Sequence, residues 1–211
     1  LNPVITTNSP VCEGQTLDFT LTLSNPATGY SWSGPGGYTS AVQNPTRPAA
    51  TPAMSGTYSV TVSDSYGCSA LASTDVVVNA VTPVSITSGT PYCEGETIQL
   101  NATTVAGATY SWSGPGVFSS AVEDPQITNC VITDGGTYTV VVTDANSCVA
   151  SANHTVVVNP GIAANFTAID PLCYQQPTGQ LTVNVTSGTP TYTYTWSNGS
   201  NVNPLTGCTG E

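Results

Sequence analysis

The sequence predicts an all-β chain: antiparallel β-sandwiches in tandem, arranged as a rod, with a third that is incomplete. Three observations predict it. A period near 80 residues recurs, apolar and polar residues alternate strictly within short runs, and Gly-Pro, Asp-Gly and Asn-Gly signals separate those runs. Cys12, Cys93 and Cys173 are 81 and 80 apart, Trp32, Trp112 and Trp196 are 80 and 84 apart, and Tyr58 and Tyr138 are 80 apart. The block YSWSGPG occurs at residues 30–36 and again at 110–116. No stretch carries a helical period.

Each element follows from its pattern. In residues 16–23, Leu17, Phe19, Leu21 and Leu23 alternate with Thr16, Asp18, Thr20 and Thr22. In residues 57–63, Tyr58, Val60 and Val62 alternate with Thr57, Ser59, Thr61 and Ser63. Period two places one face in a core and a Thr-rich face in water, where a β-branched hydroxyl suits a strand without charge. A Trp on the third strand (Trp32, Trp112, Trp196) and a later Gly-Thr-Tyr (Tyr58, Tyr138) give the order of an immunoglobulin-like sandwich with its tyrosine corner. Phe19 and Val60 stand where that fold usually carries an inter-sheet disulfide.

The repeat sets domains at 1–80, 81–160 and 161–211. The third spans 51 residues and stops where its own Gly-Thr-Tyr strand would be due. Truncation of a longer chain explains this most simply; strands supplied by a neighbouring chain are the alternative. Leu1 likewise reads as the start of a window within a longer precursor. The linkers at 76–83 and 156–160 are short and contain proline, which predicts a semi-rigid rod.

Composition excludes several functions. Charged residues are 6% of the 211, Lys plus Arg is 1, Asp plus Glu is 12, and the net charge is −11. A phosphate backbone is bound by neutralising it with Lys and Arg, so nucleic acid and anionic membrane surfaces are disfavoured. No apolar run approaches the roughly 20 residues of a membrane span. One His and no Lys remove the commonest general bases and amine nucleophiles, so the chain reads as non-enzymatic, without cofactor.

Seven cysteines without a CxxC spacing predict disulfides in an oxidising compartment rather than a thiolate metal site. Spacing alone allows Cys12–Cys68 and Cys93–Cys148, one bridge per repeat. Topology opposes it: Cys12 precedes the second strand, and Cys68 follows the sixth, at the other end of a sandwich. A strand of eight residues spans roughly 26 Å, whereas bridged Cα atoms lie within about 7 Å. The preferred scheme is Cys93–Cys130 and Cys173–Cys208 within repeats and Cys12–Cys148 between them, leaving Cys68 for a preceding module.

Other candidates are weaker. Glu13 and Asp144 could approach each other at the junction and offer carboxylates to calcium, although no DxDxDG loop is present. His154 reads as a polar residue on an exposed last strand. Glu94 with Glu96, and Glu123 with Asp124, are carboxylate pairs without a cleft between them. The sequons at Asn101, Asn153, Asn165, Asn184 and Asn198 fit chance in a Thr- and Asn-rich chain. Tyr38 and Phe118 could form a sugar-binding edge, but packing of a hairpin is the plainer role. Arg47, the sole basic residue, precedes Pro48, so the chain should resist trypsin.

The strings VCEGQTLDF, YSWSGPGGYTSAVQNP and SGTYSVTVSDSYGC, with their second copies, resemble the Ig-like and PKD-like repeats of very large surface and secreted proteins of Bacteroidota. The string GQLTVNVTSGTPTYTYTWSNG resembles the repeat named for the gliding adhesin of those bacteria. The resemblance implies export by the type IX route and an extracellular or cell-surface location. The expected function is a disulfide-stiffened stalk segment of an adhesin or fibre that packs with copies of itself as a homo-oligomer or bundle. Alternatives are a module that binds surface glycans of another cell, or a spacer attached to an exported enzyme.

Overall fold

Successive side chains of a strand point to opposite faces, and the first repeat uses this in its long strands. The computed structural model describes residues 1–172 and 177–208. In strand Leu17–Thr22 the three apolar residues are buried and the three polar ones exposed. In strand Gly56–Ser63 Tyr58, Val60 and Val62 are buried.

The first repeat has two antiparallel sheets. One runs in the order Val4–Thr7, Leu17–Thr22, Thr46–Arg47, and the other in the order Tyr38–Ser40, Gly29–Gly34, Gly56–Ser63, Ser69–Val76. A short parallel pair, Val11–Cys12 with Val78–Asn79, joins the start of the repeat to its end. The second repeat has the same plan: Ile86–Ser88, Ile98–Ala102, Gln126–Ile127 in one sheet, and Ser119–Ser120, Thr109–Ser113, Gly136–Thr143, Val149–Val156 in the other. Its parallel pair is Tyr92–Cys93 with Val158–Asn159. These are immunoglobulin-like sandwiches.

Spatially the chain divides into two compact units. The first holds Leu1–Val84, Thr104–Tyr110 and Val141–Ser151; the second holds Ser85–Thr103, Ser111–Val140 and Ala152–Glu211. The first unit therefore includes one end of the second repeat.

The core of the first unit is built on Phe19, whose ring lies 5.3 Å from Trp32 and 4.6 Å from Tyr58. Trp32 pairs with Val60 across the sheet, and both are fully buried. Burying a large apolar side chain contributes about 1.5–3 kcal/mol, comparable with the roughly 2–4 kcal/mol of a disulfide. Phe19 and Val60 can thus replace the missing inter-sheet bridge. Leu100 and Val140 are buried at the matching places of the second unit, along with Ile98, Trp112 and Tyr138.

The tyrosine corners are formed. Tyr58 Oη donates to the Met54 carbonyl at 3.0 Å and Tyr138 Oη to the Asp134 carbonyl at 2.7 Å. Each tyrosine ring lies flat against a glycine of the YSWSGPG block. A Cβ on Gly34 would sit 2.5 Å from Tyr58 Cδ1, and one on Gly114 would sit 2.5 Å from Tyr138 Cδ1. The block is a slot for the ring.

After Gly161 one three-stranded sheet forms among the described residues, in the order Ala163–Ile169, Gly179–Ser187, Leu205–Cys208. Trp196 departs from the expected core role. It lies outside any strand, is only half-buried, and is followed by a tight turn in which its backbone N–H donates to the Ser200 carbonyl at 2.8 Å.

Candidate functional site

The feature that recurs with most chemistry is a turn written Cys-Glu-Gly-Gln at residues 12–15 and Cys-Glu-Gly-Glu at 93–96. Gly14 and Gly95 take φ of 86° and 88°, which a side chain disfavours. The Cys12 N–H donates to Gln15 Oε1 at 2.9 Å, and the Cys93 N–H to Glu96 Oε2 at 2.7 Å. Glu13 and Glu94 donate their backbone N–H to the Asn79 and Asn159 carbonyls, at 2.8 and 3.0 Å. Their carboxylates then reach the chain leaving the same repeat. Glu13 Oε2 accepts the Val81 N–H at 3.4 Å and Glu94 Oε2 the Gly161 N–H at 3.0 Å. Entry turn and exit linker are tied in both repeats.

The second feature is a turn centred on aspartate. Asp144 Oδ1 accepts the backbone N–H of Asn146 and of Cys148, both at 2.8 Å. Asp64 Oδ1 accepts those of Tyr66 and Cys68 at 2.9 and 3.0 Å. These turns present Cys148 and Cys68 at equal places of their repeats. Cys148 is bonded to Cys12 with a Cα–Cα distance of 5.6 Å and a sequence separation of 136. Residues 141–151 of the second repeat belong to the same compact unit as Cys12.

The pairing expected of Cys93 with Cys130 is not formed in this structure. Cys93 and Cys130 are unbonded; Cys93 is exposed and Cys130 is buried, its Sγ donating to the Cys93 carbonyl at 3.3 Å. The two backbones are neighbours, joined through the Cys130 Sγ contact with the Cys93 carbonyl. Burial pushes the Cys130 thiol up, and the carboxylate of Asp134 adds to the effect. The pairing Cys173–Cys208 lies outside the described residues, because Cys173 does. Cys68 is exposed and unbonded.

Among the described residues no group of three or more His, Cys, Asp and Glu could hold a metal ion. Glu13 and Asp144, the calcium candidates, each direct one carboxylate oxygen to the backbone N–H groups described above. Asp124 Oδ1 accepts the Ala102 N–H at 2.9 Å, and Glu96 is part of its turn. His154 Nε2 pairs with Ser88 Oγ at 2.9 Å, between strands of the two sheets. Asn184 and Asn153, within two of the sequons, bond strand hydroxyls: Asn184 Nδ2 donates to Thr167 Oγ1 and Asn153 Oδ1 accepts from Thr139 Oγ1. Tyr38 packs edge-on to Tyr58 at 5.7 Å and Phe118 edge-on to Tyr138 at 5.2 Å, so both serve the hairpin core. Arg47 lies over the Tyr38 ring at 4.5 Å and donates to Tyr58 Oη and the Pro35 carbonyl. The one cation is used internally.

Sequence reasoning missed a latch that recurs three times. The indole Nε1 of Trp32, Trp112 and Trp196 donates to the carbonyl of Val42, Val122 and Val202, at 2.9, 3.0 and 2.7 Å. Beside each acceptor an Asn or Asp before proline caps the second strand. Asn44, Asp124 and Asn203 take the N–H of Leu21, Ala102 and Val183, at 2.8, 2.9 and 2.9 Å. The signal was the Asx-Pro pair at the same place in every repeat. It ties the third module to the construction of the first two.

Comparison with known proteins agrees. Residues 2–78 match the PKD-like domain family and residues 165–201 match the SprB repeat. Both are typical of surface and gliding-adhesin proteins of Bacteroidota. No curated protein sequence matches the chain. Solved structures with some similarity include murine CEACAM1b, at 12% identity and TM-score 0.41, covering 76% of this chain and all of that one. The three N-terminal domains of the Hoc capsid protein of bacteriophage RB49 share 18% identity at TM-score 0.41, covering 97% of this chain and 78% of that one. The ectodomain of mouse nectin-like molecule 4 shares 19% at TM-score 0.34, covering 75% and 64%. Likenesses this distant carry no functional argument. PKD-like and SprB modules suggest a cell-surface or extracellular protein of structural kind. No helix among the described residues is long and apolar enough to cross a membrane.

Proposed function

We propose that the chain is a structural segment of an extracellular adhesin or fibre, a stalk that projects other parts and bears tension. The observation that supports this best is that each repeat ties its exit linker to its own entry turn, through Glu13 to Val81 and Glu94 to Gly161. Linkers held in this way resist bending more than free ones. The Cys12–Cys148 bond supports the same reading, since it fastens the first repeat to the second where oxidising conditions keep disulfides. Lateral packing with copies of itself fits the low charge of the Thr-rich strand faces, where repulsion between like surfaces is small. Export by the type IX route follows from the family resemblance.

Electron microscopy of surface structures on intact cells, labelled with antibody to this chain, tests the proposal. Label along a shaft is expected; label confined to tips contradicts it. A glycan array probed with the purified chain should stay blank, and selective binding would favour a recognition module instead.

A further inference from the structure

A strand at the edge of a sheet presents a row of unpaired backbone N–H and C=O groups. Proteins blunt such edges by keeping them short or by placing Lys or Pro on them. The first two repeats follow that rule. Their opening strands, Val4–Thr7 and Ile86–Ser88, stand at the edges of their sheets and have 4 and 3 residues. The strand at the same place in the third module, Ala163–Ile169, has 7 residues. It pairs with Gly179–Ser187 on one side, and among the described residues no strand pairs with its other side. All its residues are exposed, and none is charged or a proline. In the first two repeats the opening strand keeps its place at the edge with the later strands of the repeat present. Strands that follow in the chain therefore leave this edge open.

The two faces of the strand are distinct. Ala164, Phe166 and Ala168 stand opposite Val185, Val183 and Leu181, which makes one face apolar. Asn165 and Thr167 stand opposite Asn184 and Thr182 on the other, polar face.

We propose that the edge of Ala163–Ile169 is where two copies of this chain join. Each copy pairs this strand antiparallel with the other's, so that two three-stranded sheets become one of six strands. An antiparallel pair of identical strands is its own complement, as a two-fold interface requires. Centring the pair on Phe166 engages the whole strand and keeps Ala164, Phe166 and Ala168 of both copies on one face. A slip of one residue would set apolar side chains against polar ones. Asn165 of each copy then stands opposite Thr167 of the other, amide against hydroxyl, groups that both donate and accept. Charge favours the same place. Residues 161–211 hold only Asp170 and Glu211 of the 12 acidic residues. The third module thus meets its copy with little of the repulsion that a net charge of −11 sets up elsewhere. Antiparallel pairing sends the two Asp170 carboxylates to opposite ends, whereas parallel pairing would bring them side by side. Such pairing rests on the reading that copies pack side by side, and it gives that packing its edge.

The test uses the full chain with its exposed thiols alkylated, so that only non-covalent association is read. Sedimentation and amide hydrogen exchange are followed as the protein concentration rises. A monomer–dimer equilibrium is expected, and the amides of 163–169 that do not bond Gly179–Ser187 should gain protection as the dimer forms. Asn165→Lys with Thr167→Lys sets like charges against each other across the pair and should give a monomer. Asn165→Glu with Thr167→Glu should do the same. An equal mixture of the two variants sets opposite charges together and should restore the dimer, which also shows that both are folded. Given a wild-type dimer, its survival in either variant, a mixture that stays monomeric, or protection gained elsewhere overturns the edge assignment and leaves side-by-side packing standing. A wild type that stays monomeric at every concentration counts against the edge and the packing together. The stalk reading is decided separately, by where the label falls on the cell.

Discussion

Tyr138 donates its hydroxyl to the carbonyl of Asp134, four residues earlier, at 2.7 Å while its ring is almost wholly buried. Burial, with the Asp134 carboxylate and then Cys130 adding to it, pushes the phenol up to about 12. The unfolded phenol titrates near ~10. The folded state therefore holds its proton longer, and the contribution is whole below about pH 10 and lost as pH rises toward 12. Tyr138→Phe should cost roughly 0.5–1.5 kcal/mol at neutral pH for the lost hydrogen bond. Its deficit relative to wild type should shrink between about pH 10 and 12. Melting curves of both proteins across that range check this; parallel curves would contradict it.

Gly34→Ala should destabilise the first repeat. The new methyl would meet the Tyr58 ring at 2.5 Å, and that ring is pinned by Phe19 and by its own hydroxyl. Overpacking of this kind costs about 1–3 kcal/mol. Denaturant melts should show the loss, whereas Gly36→Ala, with nothing within 4 Å of its Cβ, bears only the strain of its φ of 69°. Equal stability of Gly34→Ala and wild type would remove the slot interpretation.

Arg47 should matter for packing and not for recognition. Arg47→Ala removes a cation lying over Tyr38 and hydrogen bonds to Tyr58 and Pro35. A loss of about 1–3 kcal/mol is expected from the ring contact and the two hydrogen bonds. The same residue is the single basic site and precedes Pro48, so trypsin should leave even the reduced, unfolded chain whole. Mass spectrometry showing short tryptic fragments would refute that.

The parts of the fold legible in the sequence were those fixed by local chemistry. Alternation in residues 17–22 and 56–63 named the buried faces, and Trp32, Trp112, Tyr58 and Tyr138 are buried as their spacing implied. Strand length against the reach of a disulfide pointed to Cys12 with Cys148. The direction a side chain takes at the end of a strand is not written in spacing. Cys93 and Cys130 have adjacent backbones, yet one thiol is exposed and the other buried. Trp196 keeps the indole bond of its counterparts, yet its acceptor is six residues on instead of ten. The Asn44, Asp124 and Asn203 latch reads locally as a turn, and only the fold reveals the strand each one caps.

The most direct measurement is the extension of a single chain pulled from its two ends, before and after reduction. The Cys12–Cys148 bond skips 136 of the 211 residues and leaves 75 to be drawn out. At about 3.6 Å per residue the intact chain should reach roughly 270 Å and the reduced chain roughly 760 Å. Equal lengths in the two states would contradict a stalk shielded from stretching by a bond across its repeats.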